Sequence, residues 1–366
     1  MKKRIRVGVL FGGRSGEHEV SLVSATSVIK ALDPAKYKVT PIGISREGRW
    51  YRGRASRGPL SDVLKKGQEV IPSADPSGPR FFARDTKGAS KHARGVDVIF
   101  PVLHGTFGED GTVQGLLELA GIPYVGSGVL GSAAGMDKDV MKRLFRDDEL
   151  PVADWVLVLR GEWKQSPARQ RKLIETRLDY PLFVKPANLG SSVGISKVHE
   201  RSELGPAIDL AASYDRKIIV EKGLDAREIE CSVLGNDSPQ ASVPGEIVPA
   251  NEFYDYEAKY VKEGSELVIP AKLSRAETRY VRELALRAFR AVDCAGMARV
   301  DFLLDRPSGK LFVNEVNTIP GFTPISMYPK MWEASGISYP ALLDRLIELA
   351  LERHCEKERT RYDYGR

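Results

Sequence analysis

The chain has 366 residues, of which 42% are hydrophobic, and its formal net charge is +6. This length suggests two or three packed units, and no apolar run approaches the length needed to span a bilayer. The positive charge does not by itself indicate nucleic acid binding, because neither an aromatic-interleaved basic stripe nor zinc-finger spacing accompanies it.

The first third of the chain reads as an α/β unit. Its strands are predicted in RIRVGVLFGG, YKVTPIGIS and VDVIFPVLHG, and its helices in EVSLVSATSVIKAL and GEDGTVQGLLELAG. The basic start resembles a signal peptide only faintly, since its apolar part is short and lacks a cleavage site, so we expect a cytoplasmic protein. Alternating apolar strands and helices predict a parallel sheet in residues 1–135, with a loop-rich insertion at about 46–94.

Beyond Met136 the sequence predicts two further α+β units, at 136–222 and 223–366. The first opens with the charged amphipathic helix MDKDVMKRLFRDDEL, followed by strand, glycine loop and strand in YPLFVKPANLGSSVGISKV. In the second, Ser274 and Glu277 form a capping-box pattern, and ARVDFLL and KLFVNEVN predict a hairpin. The three cysteines, Cys231, Cys294 and Cys355, form no C-x-x-C pair and predict small core residues or free thiols.

The predicted hairpin carries polar side chains on otherwise apolar strands. Because side chains alternate along a strand, Arg299 and Asp301 share one face, and Glu315 and Asn317 share one face of the next strand. Two close carboxylates repel each other unless a cation lies between them, and oxygen-only ligands suit Mg²⁺ or Mn²⁺. The alternative is the solvated face of an edge hairpin, and the spacing alone does not decide between the two.

Three other segments could contact a nucleotide. In KPANLGSSVGISK the backbone N–H groups of a Gly/Ser loop could face a phosphate, with Lys185 before it on a strand; the alternative is an ordinary turn. In VEKGLDAREIE, Glu221 and Glu228 could contact a nucleoside, or form a surface charge cluster. The tyrosine-rich segment 253–264 is typical of a loop that closes over a ligand, and an exposed loop is its alternative.

Some residues allow simpler interpretations. GSGVLG, residues 126–131, matches the dinucleotide-binding pattern G-x-G-x-x-G, but Asp147 and Asp148 follow a helix rather than the strand that a ribose contact requires. We interpret it as a tight connection. His104 lies at the end of an apolar strand, where α/β sheets bind ligands. Glu17 precedes a helix and could simply favour its N-terminus.

Taken in order, several segments resemble the D-alanine–D-alanine ligase family of the ATP-grasp superfamily. They are GGRSGEHEVS, LHGTFGEDGTVQGLLELAGIPYVGSG, MDKDVMK, FVKPANLGSSVGISKV, VEKGL, FYDYEAKY, ARVDF and NEVNTIPGFTPISMYP. The resemblance covers about residues 8–350. It implies a three-part ATP-grasp fold, with a pre-ATP-grasp α/β unit and two α+β units that clamp ATP. It also implies ligation of two D-alanines, through an acylphosphate, for peptidoglycan precursor synthesis.

The resemblance also implies residue roles. Two Mg²⁺ or Mn²⁺ ions would be held by Asp301, Glu315 and Asn317. ATP would be bound by Lys138, Lys185, Ser191, Ser192, Glu221, Lys222, Leu224, Glu228, Lys259, Asn314 and Glu315. The first D-alanine would be held by Glu17 near His104, with Ser191 and Tyr260 forming a closing triad with Glu17. Arg299 and Gly321 would receive the oxyanion, and Ser326 with the N–H of Met327 would hold the second D-alanine.

Tyr260 favours a dipeptide product, because relatives that make a D-alanine–D-lactate ester commonly have phenylalanine there. D-alanine–D-lactate and D-alanine–D-serine ligases of the same family are the alternatives. A nucleotide-dependent binding protein without turnover, and a Rossmann oxidoreductase suggested by GSGVLG, are alternatives of other classes. The resemblance further implies a homodimer and leaves the use of K⁺ open.

Overall fold

The computed structural model describes residues 4–53, 58–84, 91–92, 95–248, 266–323 and 325–361. Within them the chain forms three β-sheets of seven, four and six strands, which follow one another along the sequence. No helix in these ranges combines the length and the apolar character needed to cross a membrane. All three cysteines are free thiols, with Cys231 and Cys294 buried and Cys355 exposed, as predicted.

The first sheet has the strand order β6-β5-β4-β3-β2-β1-β7. Its strands are β1 (Ile5–Gly12), β2 (Tyr37–Ile44), β3 (Trp50–Arg52), β4 (Gln68–Pro72), β5 (Phe81–Ala83), β6 (Lys91–His92) and β7 (Val98–Pro101). Four helices accompany it: α1 (His18–Ala31), α2 (Ser61–Lys66), α3 (Thr112–Leu119) and α4 (Val129–Met136). On β1, Val9 and Leu10 are both fully buried but belong to different core clusters, so both faces of the sheet are covered.

The predicted parallel arrangement holds only for part of this sheet. β1 is parallel to β2 and β7, whereas β3 to β6 continue the sheet in antiparallel order. Those strands and α2 lie within the segment 46–94, where the sequence predicted mainly loop. The strands were missed because each is only two to five residues long, and α2 because it has only six residues, so neither shows a clear apolar periodicity.

The second sheet is antiparallel with the order β10-β9-β11-β8. Its strands are β8 (Trp155–Leu159), β9 (Leu182–Pro186), β10 (Ser196–Val198) and β11 (Lys217–Lys222). Its region of the chain contains α5 (Lys138–Asp147), α6 (Arg160–Gln165), α7 (Pro167–Arg177) and α8 (Arg201–Tyr214). The glycine loop between β9 and β10 therefore joins two paired strands, as predicted.

The third sheet contains the predicted hairpin and has the order β15-β14-β12-β16-β17, with β13 pairing with β12. Its strands are β12 (Ala226–Gly235), β13 (Gln240–Ala241), β14 (Gly245–Val248), β15 (Glu266–Val268), β16 (Gly296–Asp305) and β17 (Leu311–Asn317). The helices are α9 (Arg275–Ala291), α10 (Met327–Ala334) and α11 (Tyr339–Lys357). The capping box of Ser274 and Glu277 opens α9, as predicted.

The last helix belongs in part to the core of the first sheet. Leu342 and Leu346 of α11 pack in one cluster with Val9 of β1 and Phe100 of β7. Near the other end of the helix, the Arg353 guanidinium lies 4.4 Å from the centroid of the Tyr124 ring. The C-terminal helix thus packs on the first sheet, although it follows the third sheet along the chain. A division at 136 and 223 therefore separates the three sheets but does not separate their hydrophobic cores.

The glycines of GSGVLG permit close backbone packing. The chain passes so near the start of β16 that a β-carbon on Gly296 would lie 3.2 Å from the Gly126 nitrogen. A β-carbon on Gly131 would overlap the backbone carbonyl oxygen of Asp293. Gly128 precedes the first residue of α4. The motif is therefore the tight connection that the sequence predicted, and its small residues are required by the neighbouring backbone.

Two helical glycines should respond oppositely to alanine. Gly131→Ala is expected to destabilise the fold by about 1–3 kcal/mol, because the methyl group meets a backbone that cannot move aside. Gly115→Ala, in α3, is the matched control: nothing lies within 4 Å of its β-carbon position, so alanine should stabilise the helix by about 0.5–1 kcal/mol. Denaturant unfolding of both variants measures this, and a shift of the same sign in both would contradict it.

Candidate active site

The β16–β17 hairpin brings its polar residues together on one face. Arg299 pairs with Asn317 across the two strands, and Asp301 pairs with Glu315. The Asn317 Nδ2 donates to Asp301 Oδ2 at 3.0 Å. Both carboxylates are partly accessible, with 15% and 25% of the Asp301 and Glu315 side chains exposed. The alternation predicted from sequence thus produces a cluster rather than scattered surface charges.

A β-bulge makes this face possible. The register shifts between Asp301 and Phe302, so that Asp301 pairs with Glu315 while Phe302 pairs with Val313, and Asn314 is the extra residue. Strict alternation along β17 would place Glu315 on the same side as Val313, which is fully buried. The bulge leaves Val313 in the core and turns Glu315 to the opposite face, a change that the sequence analysis did not predict.

Arg299 is a partly buried cation on the acidic face. Its Nε and Nη2 donate to the two oxygens of Asp301 at 2.7 and 2.6 Å, and its Nε lies 3.1 Å from Glu230 Oε2. Burial opposes its charge, but the carboxylates of Asp301 and Glu230 outweigh burial and raise its pKa. The sequence analysis did not identify Glu230. Alternation along β12 places it on the same face as Glu228, and it pairs with Asp301 on the neighbouring strand.

Two lysines of α5 point to different acidic residues. Lys138 Nζ lies 3.3 Å from Glu315 Oε2 and donates to the carbonyl oxygen of Leu189 at 3.1 Å. Lys142, one turn later, is 1% exposed and lies 3.2 Å from Glu221 Oε1. The other oxygen of Glu221 is 2.5 Å from Lys185 Nζ. The sequence analysis identified Lys138 and Lys185 as ATP-binding residues but did not identify Lys142. Lys142 follows Lys138 by four residues and therefore lies on the same face of the helix.

The glycine loop after β9 reaches the first unit of the chain. Ser191 Oγ donates a hydrogen bond to Glu17, which precedes α1. Ser191 and Ser192 both have positive φ, at 51° and 57°, so this turn uses strained left-handed backbone. A β-carbon on Gly190 would lie 3.0 Å from Glu17 Oε2, which explains glycine there. The contact between Glu17 and Ser191 agrees with the pairing that the resemblance implied.

His104 lies beside this contact and is buried. Its Nδ1 is 3.1 Å from the carbonyl oxygen of Ile319, and its Nε2 is 3.2 Å from Ser24 Oγ. Burial lowers the pKa of His104 although the charge of Glu17 opposes the change, which favours a neutral ring. Glu17 itself is 9% exposed. A carboxylate in such a place is suited to receive an ammonium group.

Glu109 is a second carboxyl group in this corner and was not predicted. Its Oε2 accepts from the Gly105 N–H at 2.6 Å. Burial and the nearby charge of Glu17 raise its pKa to about 8, although two backbone N–H groups and Lys138 oppose the shift. Its place in GTFGEDG gave no sign of this, because Asp and Glu are common in turns that precede a helix.

The raised pKa of Glu109 predicts a pH dependence of stability. Its folded-state pKa of about 8 exceeds the reference value of 4.5, so its stabilising contribution is complete below pH 4.5 and declines as pH rises towards 8. Glu109→Gln should therefore flatten the fall in free energy of unfolding between pH 5 and 8.5, by at most about 1.4 kcal/mol per pH unit. Glu348→Gln, at an exposed site on α11, is the control. Parallel curves for wild type and Glu109→Gln would contradict the prediction.

The remaining predicted contacts lie at the start of α10. Ser326 immediately precedes the helix, and its Oγ lies 2.7 Å from Thr323 Oγ1 and accepts from the Thr323 N–H at 3.0 Å. A β-carbon on Gly321 would lie 2.7 Å from that same Oγ. The Met327 side chain packs against Ile247, so only its backbone N–H can face a ligand. A helix N-terminus with free N–H groups suits a carboxylate.

Three residues of the predicted nucleoside pocket follow one another around the β11–β12 turn. Lys222 ends β11 and is exposed, Leu224 lies in the turn, and Glu228 lies on β12 on the same face as Glu230. The predicted closing segment 251–264, with Lys259 and Tyr260, lies outside the described residues.

Comparison with known proteins agrees with this arrangement. The family model described as D-ala D-ala ligase N-terminus matches residues 6–127, and the one described as D-ala D-ala ligase C-terminus matches residues 144–348. The D-alanine--D-alanine ligase of Heliobacterium modesticaldum is 54% identical over 358 residues, 96% of each chain. That of Natranaerobius thermophilus is 52% identical over 367 residues, 99% of each chain.

Solved structures show the same fold. The D-alanine-D-alanine ligase from Coxiella burnetii is 39% identical with a TM-score of 0.84, covering 97% of this chain and 96% of that one. The VanG D-Ala:D-Ser ligase from Enterococcus faecalis is also 39% identical with a TM-score of 0.84, covering 95% of this chain and 100% of that one. The predicted three-part fold is thereby confirmed, and this chain belongs to the D-alanine–D-alanine ligase family of ATP-grasp proteins.

Proposed function

We propose that this protein uses ATP to join two D-alanines into D-alanyl-D-alanine, for peptidoglycan precursor synthesis. One structural observation carries the proposal beyond family membership: the glycine loop after β9 connects all three sheets. Its Leu189 carbonyl accepts from Lys138, which is paired with Glu315 of the third sheet, and its Ser191 contacts Glu17 of the first. A carboxylate to be activated and a phosphoryl donor would meet around this loop.

The nucleotide would lie between the second and third sheets. Lys138 and Lys185 supply positive charge, and the loop at Ser191 and Ser192 supplies backbone N–H groups for the phosphates. Glu221, Lys222, Leu224 and Glu228 would border the nucleoside, and Lys259 would approach the γ-phosphate. Phosphoryl transfer depends mainly on positioning and charge neutralisation, so a site rich in lysines and without an activated nucleophile is suited to it.

The hairpin face fits divalent metal ions by its donor chemistry. Asp301, Glu315 and the amide oxygen of Asn317 offer oxygen ligands from neighbouring strands, the type of ligand that Mg²⁺ and Mn²⁺ prefer. Asn314 lies beside them on the bulge. Bound Mg²⁺ or Mn²⁺ would neutralise the charge on the ATP phosphates.

The first D-alanine would bind with its ammonium at Glu17, near His104. A carboxylate oxygen of this D-alanine attacks the γ-phosphorus of ATP, the bond between that phosphorus and ADP breaks, and D-alanyl phosphate results. Arg299 and the Gly321 N–H would stabilise the charge that develops on the carbonyl oxygen in the next step. Tyr260 would close the site with Ser191 and Glu17.

The second D-alanine would be held by its carboxylate at Ser326 and the Met327 N–H, where the start of α10 favours an anion. Its uncharged amine attacks the acyl carbon, phosphate leaves, and the amine gives up a proton as the peptide bond forms. Because only the backbone of Met327 is available, the identity of that side chain should have little influence.

An assay of ADP release with separate acceptors tests this proposal. With D-alanine alone, which can fill both substrate positions, we expect ADP release, and with L-alanine alone we expect none. D-serine and D-lactate must be included, because one structural neighbour is a D-Ala:D-Ser ligase. A preference for D-serine or D-lactate would favour the corresponding family member, and nucleotide binding without ADP release would indicate a binding protein.

Three further features belong to the same proposal. Family membership supports a homodimer. A cytoplasmic location is supported by the proposed substrates, because ATP and free D-alanine are available there. The three sheets support the division into units at 1–135, 136–222 and 223–366. Gel filtration with light scattering would test the first of these.

A further inference from the structure

Lys142 is a buried cation to which neither the sequence motifs nor the proposed function assigns a role. It lies on α5, one turn after Lys138, and 1% of it is exposed. Its Nζ lies 3.2 Å from Glu221 Oε1, while Lys185 Nζ lies 2.5 Å from Glu221 Oε2. One buried carboxylate is thus shared between two lysines that come from different elements.

The charges of this triad do not cancel. With both lysines protonated, two ammonium groups face one carboxylate and one positive charge remains. Burial and the charge of Lys185 lower the pKa of Lys142, and the charges of Glu221 and Glu315 oppose that shift. Burial favours a neutral Glu221, but the charges of Lys142 and Lys185 outweigh burial and lower its pKa. Without Lys142, Glu221 and Lys185 would form a neutral pair, and the charge of Lys185 would be compensated by its neighbour before any ligand arrived.

The donors of Lys142 are incompletely used. Among the described residues, neither its Nζ nor Glu221 Oε1 has a hydrogen-bond partner of good geometry, although the two are close enough for an ion pair. The Trp155 ring lies 5.8 Å from the same Nζ, and Glu315 adds a more distant negative charge. A buried ammonium ion needs a compensating negative charge, and Glu221 is the carboxylate in contact with it.

We infer that Lys142 is a positioning residue of the nucleotide site: it compensates Glu221 so that the charge of Lys185 is available to the phosphates of a bound nucleotide. The inference rests on the proposed function for the identity of the ligand. The simpler explanation is that Lys142 only anchors α5 to the second sheet. The two differ in the effect of removing the Glu221 charge as well: this should restore affinity if Lys142 compensates Glu221, whereas an anchor that is lost is not restored by removing its partner.

A double-mutant cycle separates them. Lys142→Met should weaken the binding of ADP with Mg²⁺, measured by calorimetry, on the order of 10- to 100-fold. Lys142→Arg, which keeps the charge, should retain most of the affinity. In the Glu221→Gln background Lys142→Met should cost a few-fold or less, and the double variant should bind ADP more tightly than Lys142→Met alone, because no carboxylate is left to compensate the charge of Lys185. Arg143→Met removes a mostly exposed cation from the same helix and should not change the affinity.

The outcomes are distinguishable. An unchanged affinity in Lys142→Met, or a double variant that binds no more tightly than Lys142→Met alone, would overturn the inference and leave an anchoring role. If wild-type protein binds no nucleotide at all, the proposed function fails instead. Should the methionine variant not fold, as judged by thermal unfolding, the same cycle is run with Lys142→Gln, and the same two outcomes decide it.

Discussion

Arg299→Met is expected to lower kcat on the order of 10²–10³-fold, the usual effect of removing one oxyanion donor. Stability should fall as well, by about 3–5 kcal/mol, because Glu230 and Asp301 lose their cation and Glu230 is only 5% exposed. Steady-state kinetics of ADP release and denaturant unfolding measure the two effects separately.

Two companion variants separate catalysis from folding. Arg299→Met combined with Glu230→Gln also removes the charge of one of the two carboxylates that Arg299 contacts, so it should regain stability without regaining activity. Arg227→Met breaks another arginine–carboxylate pair in the same sheet, with Glu246 at 2.7 Å, on the face opposite to Glu228 and Glu230. It should lose stability and keep kcat. Normal turnover in Arg299→Met would remove this arginine from the mechanism.

Removal of divalent metal should abolish turnover, and Glu315→Gln should come close to the same result. A metal ion supplies several kcal/mol of charge stabilisation, and about 4 kcal/mol corresponds to roughly 10³-fold in rate. The glutamine variant should also need much more Mg²⁺ for half-maximal activity, because one carboxylate ligand has lost its charge. A Mg²⁺ titration of ADP release, with and without a chelator, measures this.

Asp305→Asn is the matched control for Glu315→Gln. Asp305 ends β16 on the same face as Asp301, but it lies at the hairpin turn, where its carboxylate accepts from the Ser308 N–H at 3.2 Å. Its replacement should leave the Mg²⁺ requirement unchanged. Full activity of wild-type protein in the presence of chelator would refute the metal site, and an unaltered titration in Glu315→Gln would exclude Glu315 from it.

Features encoded by local spacing were predictable from the amino-acid sequence. The hairpin with Arg299 and Asp301 on one face follows from the two-residue period of a strand, and the capping box at Ser274 from the chemistry of a helix start. The ordered series of short motifs identified the family. In each case the interacting groups are near neighbours in sequence, or the pattern is long enough that chance matches are rare.

Partnerships between distant segments depended on the tertiary structure. Glu230, Glu109 and Lys142 carry ordinary charges in ordinary places along the chain, and each became part of the site only when another element lay beside it. The bulge at Asn314 depends on pairing with β16, and the glycines of GSGVLG on the backbone near Gly296. Burial and charge pairing are set by distance in space, which periodicity along one strand or helix does not contain.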